Sequence, residues 1–250
     1  MSERHLFLGF LLIMGFSAIF WAYSSNPPNG RAGDPPSRMT CTQCHDSFAL
    51  NSGDGMLSID NVPDIYTPGE TYTITVTLSD PGQSRWGFEL TTLDDDNAQA
   101  GTIVVTEDTN TQLSDNSGSN PDYIKQRSAG TFAGTNDGPV SWTFDWTAPL
   151  TDVGEVTFYA SGNAANNNES TSGDYVYTAS ATSSTCVKGD ANGDGTIDVL
   201  DALRVVGFIL SHPPITGEDF CRSDCNIDGA IDVLDILGIV NVILGTGTCP

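Results

Sequence analysis

From Thr71 the chain alternates, with Tyr72, Ile74, Val76 and Leu78 falling on one side and Thr71, Thr73, Thr75 and Thr77 on the other. A period of two sustained this long predicts a strand with one buried face. The same pattern predicts strands at Trp86, Phe88 and Leu90, then over Thr102 to Thr106, Tyr123 to Gln126, Val140 to Trp146, Val156 to Ala160 and Tyr175 to Ala179. Turn signals separate them: Pro68-Gly69, Asp80-Pro81-Gly82, Asn136-Asp137-Gly138 and Asp152-Val153-Gly154. Short strands with no helical period between them predict a mainly β chain, an antiparallel immunoglobulin-like β-sandwich over residues 55–181. Trp86, Trp142 and Trp146 fall in phase with the buried positions, so core packing is expected of them rather than a sugar-stacking platform. The polar run Ala164 to Gly173 predicts an exposed loop.

The pattern then changes. After the Ser/Thr-rich stretch Ser180 to Thr185, whose residues 182–185 read as a linker, DANGDGTIDVLD at residues 190–201 recurs as DCNIDGAIDVLD at residues 224–235. The strongly apolar runs Val199 to Leu210 and Val233 to Leu244 overlap the ends of these repeats and predict two helices. Residues 186–250 therefore read as a small all-α module with two metal loops. Ca²⁺ takes six to eight oxygens, and an EF-hand-like loop presents them at positions 1, 3, 5, 7 (by its carbonyl), 9 and 12 around a Gly at 6. The first repeat offers Asp190, Asn192, Asp194, the Thr196 carbonyl, Asp198 and Asp201 around Gly195. The second offers Asp224, Asn226, Asp228, the Ala230 carbonyl, Asp232 and Asp235 around Gly229. Two Ca²⁺ ions are expected. The helices are apolar nearly all round, more than so small a domain can bury, so part of that surface should meet a partner.

Charge narrows the partners. Nine Lys plus Arg against 32 Asp plus Glu leave a net charge of -23, which excludes nucleic acid and anionic membrane surfaces as partners. Of the acids 25 are Asp, a residue suited to turns, caps and metal loops. Leu6 to Trp21 is an uncharged apolar run followed by Ala22, Tyr23 and Ser24. It predicts a signal peptide over residues 1–25, or an uncleaved anchor that would be the chain's one contact with a membrane. Either form places the remainder in the extracellular space or at the cell surface, where disulfides form. Cys186, Cys221, Cys225 and Cys249 frame the calcium module and should make two bridges; three pairings are open, and a Cys186–Cys249 clasp between the module's ends is the one expected.

Within residues 26–54 lies Cys41-Thr42-Gln43-Cys44-His45. That spacing lets two thioethers fix a haem while the adjacent His ligates iron, and the alternative is a Cys41–Cys44 disulfide beside an exposed His. An apolar wall for a haem would have to come from the sandwich. Catalysis is not expected: Glu89, Asp145 and Asp94 to Asp96 read as solvated acids rather than a glycosidase pair.

The repeat of residues 186–250 resembles a type I dockerin, a duplicated calcium loop with Asp at position 12 and one helix after each loop. The resemblance implies calcium-dependent folding and a helical face that binds a cohesin. Dockerin positions 10 and 11 usually face the cohesin; here they are Val199, Leu200, Val233 and Leu234, identical in both halves and lacking the usual hydroxyls. Symmetry of this kind permits two binding orientations, unless these residues pack on the chain's own sandwich. The stretches GRAGDPPSRMTCTQCHDS, YTPGETYTITVTLSD, RWGFELTTLDDDNAQAG, SWTFDWTAP and VTFYASGNAANNN resemble the reelin-type (reeler) domain known in bacteria as choice-of-anchor V, which implies a sandwich followed by an anchoring part. Together these readings predict an exported, non-enzymatic surface or adhesion protein docked to a cohesin-type or other cell-surface partner. The alternatives are an extracellular electron carrier with one covalent c-type haem, and a carbohydrate-binding component of a polysaccharide-degrading cohesin–dockerin assembly.

Overall fold

The computed structural model describes residues 24–114, 121–211, 215 and 217–250. Residues 1–23 of the expected signal segment lie outside them. Among the described residues nine strands form two antiparallel sheets: β1 (Met56–Asp60), β2 (Thr71–Ser79), β3 (Arg85–Asp94), β4 (Thr102–Val105), β5 (Thr111–Leu113), β6 (Ile124–Gln126), β7 (Val140–Thr147), β8 (Val156–Ala165) and β9 (Tyr175–Ser183). One sheet runs β1-β2-β7-β4 and the other β5-β6-β3-β8-β9.

The alternation of β2 works as read. Ile74, Val76 and Leu78 are buried, while the opposite face carries polar cross-strand pairs to β7, including Thr71 with Thr147 and Thr73 with Asp145. Between the sheets lie Trp86, Trp142, Trp146, Phe88, Phe144 and Phe158, each burial worth about 1.5–3 kcal/mol or more. The ring of Phe88 stacks on Trp142 at 4.5 Å, and Trp146 meets Phe158 edge-on at 4.9 Å. Every indole N–H in this core finds a carbonyl: Trp86 donates to Thr135, Trp142 to Gly130 and Trp146 to Ala100. None of the three rings is placed to stack on a sugar.

β3 departs from one-sided burial, with Trp86 through Leu93 buried on both faces. Its outer face is covered by residues 24–45, which run across β3, β6 and β8. Arg31 N donates to Glu89 Oε2, Lys125 Nζ to the Pro27 carbonyl at 2.7 Å, Gln126 Nε2 to the Ser24 carbonyl at 3.1 Å and Tyr123 Oη to Asp34 Oδ2 at 2.8 Å. Glu89 is thus not a solvated acid: it is 1% exposed. Two further boundaries move. Ala164 and Ala165, read as loop, end β8 and are buried, and Ser180 to Ser183, read as leading into or forming the linker, complete β9. Ser184 then bonds to the backbone of Asp64 and Tyr66.

The C-terminal part folds as α1 (Val199–Ser211), α2 (Gly217–Ser223) and α3 (Val233–Ile243). Ala202, Val205, Ile239, Ala191 and Cys225 make its small core, too little apolar burial to hold such a unit without staples. No helix among the described residues is long and apolar enough to cross a membrane.

Candidate functional site

The two Asp/Gly loops have the same architecture. In the first, Asp190 Oδ1 accepts from the N–H groups of Gly193 and Asp194 and its Oδ2 from Gly195 N. In the second, Asp224 accepts from Asp228 N and Gly229 N. Gly195 and Gly229 hold φ of 84° and 80°, the left-handed region where a side chain is strained. Position 12 faces back across each loop: Asp201 accepts from Asn192 N and Asp198 N, and Asp235 from Asn226 N and Asp232 N. Asp232 and Asp235 also form a reciprocal capping box at the start of α3, and Asp198 with Asp201 makes the equivalent bonds at α1. One pair of aspartates therefore closes each loop and starts its helix.

These loops fit a hard cation. Asp190, Asp201, Asp224 and Asp235 are buried, and burial, with Asp224 and Asp228 adding to it, raises the Asp235 carboxyl above its ordinary value against the pull of two backbone N–H groups. Arg222 Nη1 sits 3.3 Å from Asp190 Oδ2, while among the described residues no cation pairs with the carboxylates of the second loop. Buried acids without counter-charge are costly, and the remaining donors, Asn192, Asn226 and the loop carbonyls, are oxygen ligands suited to Ca²⁺. Among the described residues no three His, Cys, Asp or Glu side chains converge as a metal cage.

Val199, Leu200, Val233 and Leu234 are 61%, 53%, 60% and 51% exposed; they do not pack on the sandwich. Leu203 and Leu237, one turn further along α1 and α3, are exposed as well. The buried counterparts Val205 and Ile239 hold the helices together. The module thus presents the same apolar triplet twice.

The disulfides are Cys186–Cys221 and Cys225–Cys249, not the expected end-to-end clasp. The pseudo-repeat explains the pairing: the segments entering the two loops lie side by side, as the 2.8 Å bond from Gly189 N to the Arg222 carbonyl shows, and this places Cys186 beside Cys221. Two disulfides fit an extracellular protein.

Cys41 and Cys44 are unpaired. Cys41 begins the 3₁₀ turn Cys41–Gln43, capped by the Thr40 hydroxyl on Thr42 N. The turn lies on β8, where Cys41 N donates to Ser161 Oγ at 3.3 Å and that hydroxyl donates to Cys41 Sγ at 3.4 Å. Burial pushes the Cys41 thiol up to about 12, against the lowering effect of Ser161. His45 Nδ1 lies 2.6 Å from Oδ2 of Asp174, a carboxylate with no exposed side-chain surface. Cys41, Cys44 and His45 together line a cavity of about 490 Å³ on the outer face of the five-stranded sheet, inside the range of cofactor-sized sites. Sequence reasoning found the motif but missed Asp174, which it had left beside a low-complexity loop, and missed the covering segment that makes a cavity there.

Among solved structures, the Reelin-N domain of F-spondin is similar at 20% identity over 58% of this chain and 96% of that chain, with a TM-score of 0.38. The human F-spondin reeler domain is similar at 19% identity over 55% and 95%, with a TM-score of 0.36. The cohesin module of a family 33 glycoside hydrolase from Clostridium perfringens gives 12% identity over 53% and 96%, with a TM-score of 0.35. No curated protein matches the chain. Residues 188–244, which contain both Asp/Gly loops together with α1, α2 and α3, match the family model of the dockerin type I domain.

Proposed function

We propose that this chain is an exported, non-enzymatic display protein whose C-terminal module binds two Ca²⁺ ions and docks the sandwich to a cohesin-type partner at the cell surface. The observation that carries this reading is the duplicated exposed face, Val199, Leu200 and Leu203 on α1 and Val233, Leu234 and Leu237 on α3, in a segment that matches the dockerin family. Exposed apolar groups of this density mark an interaction surface.

Calcium would supply the charge that the buried Asp201, Asp224 and Asp235 lack and add to the one that Arg222 brings to Asp190. The chain's own residues do the rest: positions 1 and 12 hold each loop closed, and the capping pairs Asp198/Asp201 and Asp232/Asp235 aim the helices. A docked cohesin would cover one triplet, so that the identical second triplet serves the opposite orientation.

The test is retention of the full chain on immobilised cohesin modules from its own source, with calcium and with excess chelator. Calcium-dependent retention is expected. Absence of binding to every such module, with the helices folded and calcium bound, overturns the partner assignment.

A further inference from the structure

The docking module leaves the cavity at Cys41, Cys44 and His45 without a role. We propose that this cavity holds one covalently attached c-type haem, with Cys41 and Cys44 as thioether anchors, His45 as the axial ligand and Asp174 as the residue that positions the imidazole.

The argument starts from thiol status. Four cysteines pair in two bridges, yet Cys41 and Cys44, in one 3₁₀ turn, remain unpaired and both line the cavity. Their spacing matches the reach of two thioethers to one macrocycle, with the adjacent His toward the metal. His45 is held from the side its role requires. Its Nδ1 meets the buried Asp174 carboxylate at 2.6 Å and stands 3.4 Å from Asn163 Nδ2, which leaves Nε2 for iron; a carboxylate behind the ring fixes its orientation and raises its basicity.

The cavity itself asks for a ligand. Its lining joins apolar surface from Pro27, Pro28 and Ala165 to the cations Arg31 and Arg85, a combination that suits a flat apolar ring carrying carboxylates. Three lining groups have buried atoms with no hydrogen-bond partner: Arg85 Nε, Glu89 Oε1 and Asn163 Oδ1. Glu89 is 1% exposed, and buried polar atoms are rarely left unsatisfied when a site is complete.

Attachment balances without an oxidant. Each Sγ–H adds across one vinyl group of protohaem: a carbon–sulfur bond forms, the vinyl double bond becomes single, and the thiol hydrogen ends on the outer vinyl carbon. The two thiols must be reduced and protohaem supplied, both of which a cytochrome c maturation system does.

The test is export of the full chain from a host with that system, read by intact mass, visible spectrum and the pyridine haemochrome. The expected result is one added haem, a Soret band and a haemochrome of the two-thioether type. In Cys44→Ala, a change at an exposed position, the haemochrome should shift to the single-thioether type. In the Cys41→Ala/Cys44→Ala variant covalent haem should be lost while the far-ultraviolet circular dichroism of the sandwich is kept. Asp174→Asn should keep the haem and raise its reduction potential, a readout that a purely structural role would not move. A wild-type chain without added haem, whether its Cys41 and Cys44 carry free thiols or have lost two hydrogens as a disulfide, overturns the proposal. So does haem mass retained by the double variant.

Discussion

Glu89 stands directly opposite Lys125 in the β3–β6 ladder, 1% and 4% exposed, yet the lysine does not spend its bonds on the carboxylate. Nζ donates instead to the Pro27 carbonyl at 2.7 Å and to Asn29 Oδ1 at 2.5 Å. The pair thereby ties the N-terminal segment onto the sheet. Burial raises Glu89 from 4.5 to about 8, more than Arg31 N and the Lys125 charge lower it, and burial lowers Lys125.

Stability should therefore fall as pH rises through this window. The folded state holds the Glu89 proton more tightly than the unfolded chain does, so its contribution is complete below 4.5 and is lost toward pH 8, an effect on the order of a few kcal/mol at most. Glu89→Gln should flatten the thermal midpoint measured from pH 5 to 8 on the apo chain. An unchanged slope in the variant would assign the effect elsewhere.

Calcium removal should act on one part of the chain only. Excess chelator is expected to abolish most helical circular dichroism, because α1 and α3 start at capping pairs that belong to the loops, while fluorescence from Trp86, Trp142 and Trp146, all in the sandwich core, stays put. Asp235→Ala should lower the calcium stoichiometry from two to one by titration calorimetry. A stoichiometry unchanged in that variant would remove Asp235 from the ligand set.

Charge placed on one docking triplet should be tolerated. Val199→Asp with Leu200→Asp is expected to reduce cohesin affinity by about twofold, the loss of one of two equivalent orientations, whereas adding Val233→Asp and Leu234→Asp should cost about 30-fold or more. Surface plasmon resonance separates the cases. Full loss from the first pair alone would mean that a single orientation binds.

Opening the Cys225–Cys249 bridge, which joins the second loop to the chain end, should destabilise the calcium-loaded module by about 2–4 kcal/mol. Cys225→Ser/Cys249→Ser, followed by urea denaturation at fixed calcium, measures it. The sandwich transition should not move.

The parts legible in sequence were those whose cause is local. Alternation announces β2 and β7, and the repeated Asp/Gly spacing announces two like loops, each followed by a helix. What escaped has remote causes. β1 offers only Leu57 and Ile59 as an apolar alternation, and β5 is three residues long. Glu89 reads as a surface acid because the segment that covers it lies more than forty residues away, at Arg31 and Pro27. Asp174 joins His45 across 129 positions, a distance over which no spacing rule operates. The Cys186–Cys221 bridge followed the side-by-side entry of the two loops rather than the module's ends.

The end of β9 sets how the sandwich can be displayed. Ser183 is the last residue of the strand, Ser184 is bonded to Asp64 and Tyr66, the Thr185 hydroxyl donates to Asp152, and Cys186 is already tied to Cys221. Almost no slack remains between cargo and dock, whereas a flexible linker of n residues would sweep about 5–6 Å times the square root of n. Docked as proposed, a copy would behave as a tile mounted flush on its bracket rather than a flag on a line. The spacing of neighbouring copies would then be set by the spacing of the receptors, and crowding between sandwiches would limit how densely they can be loaded.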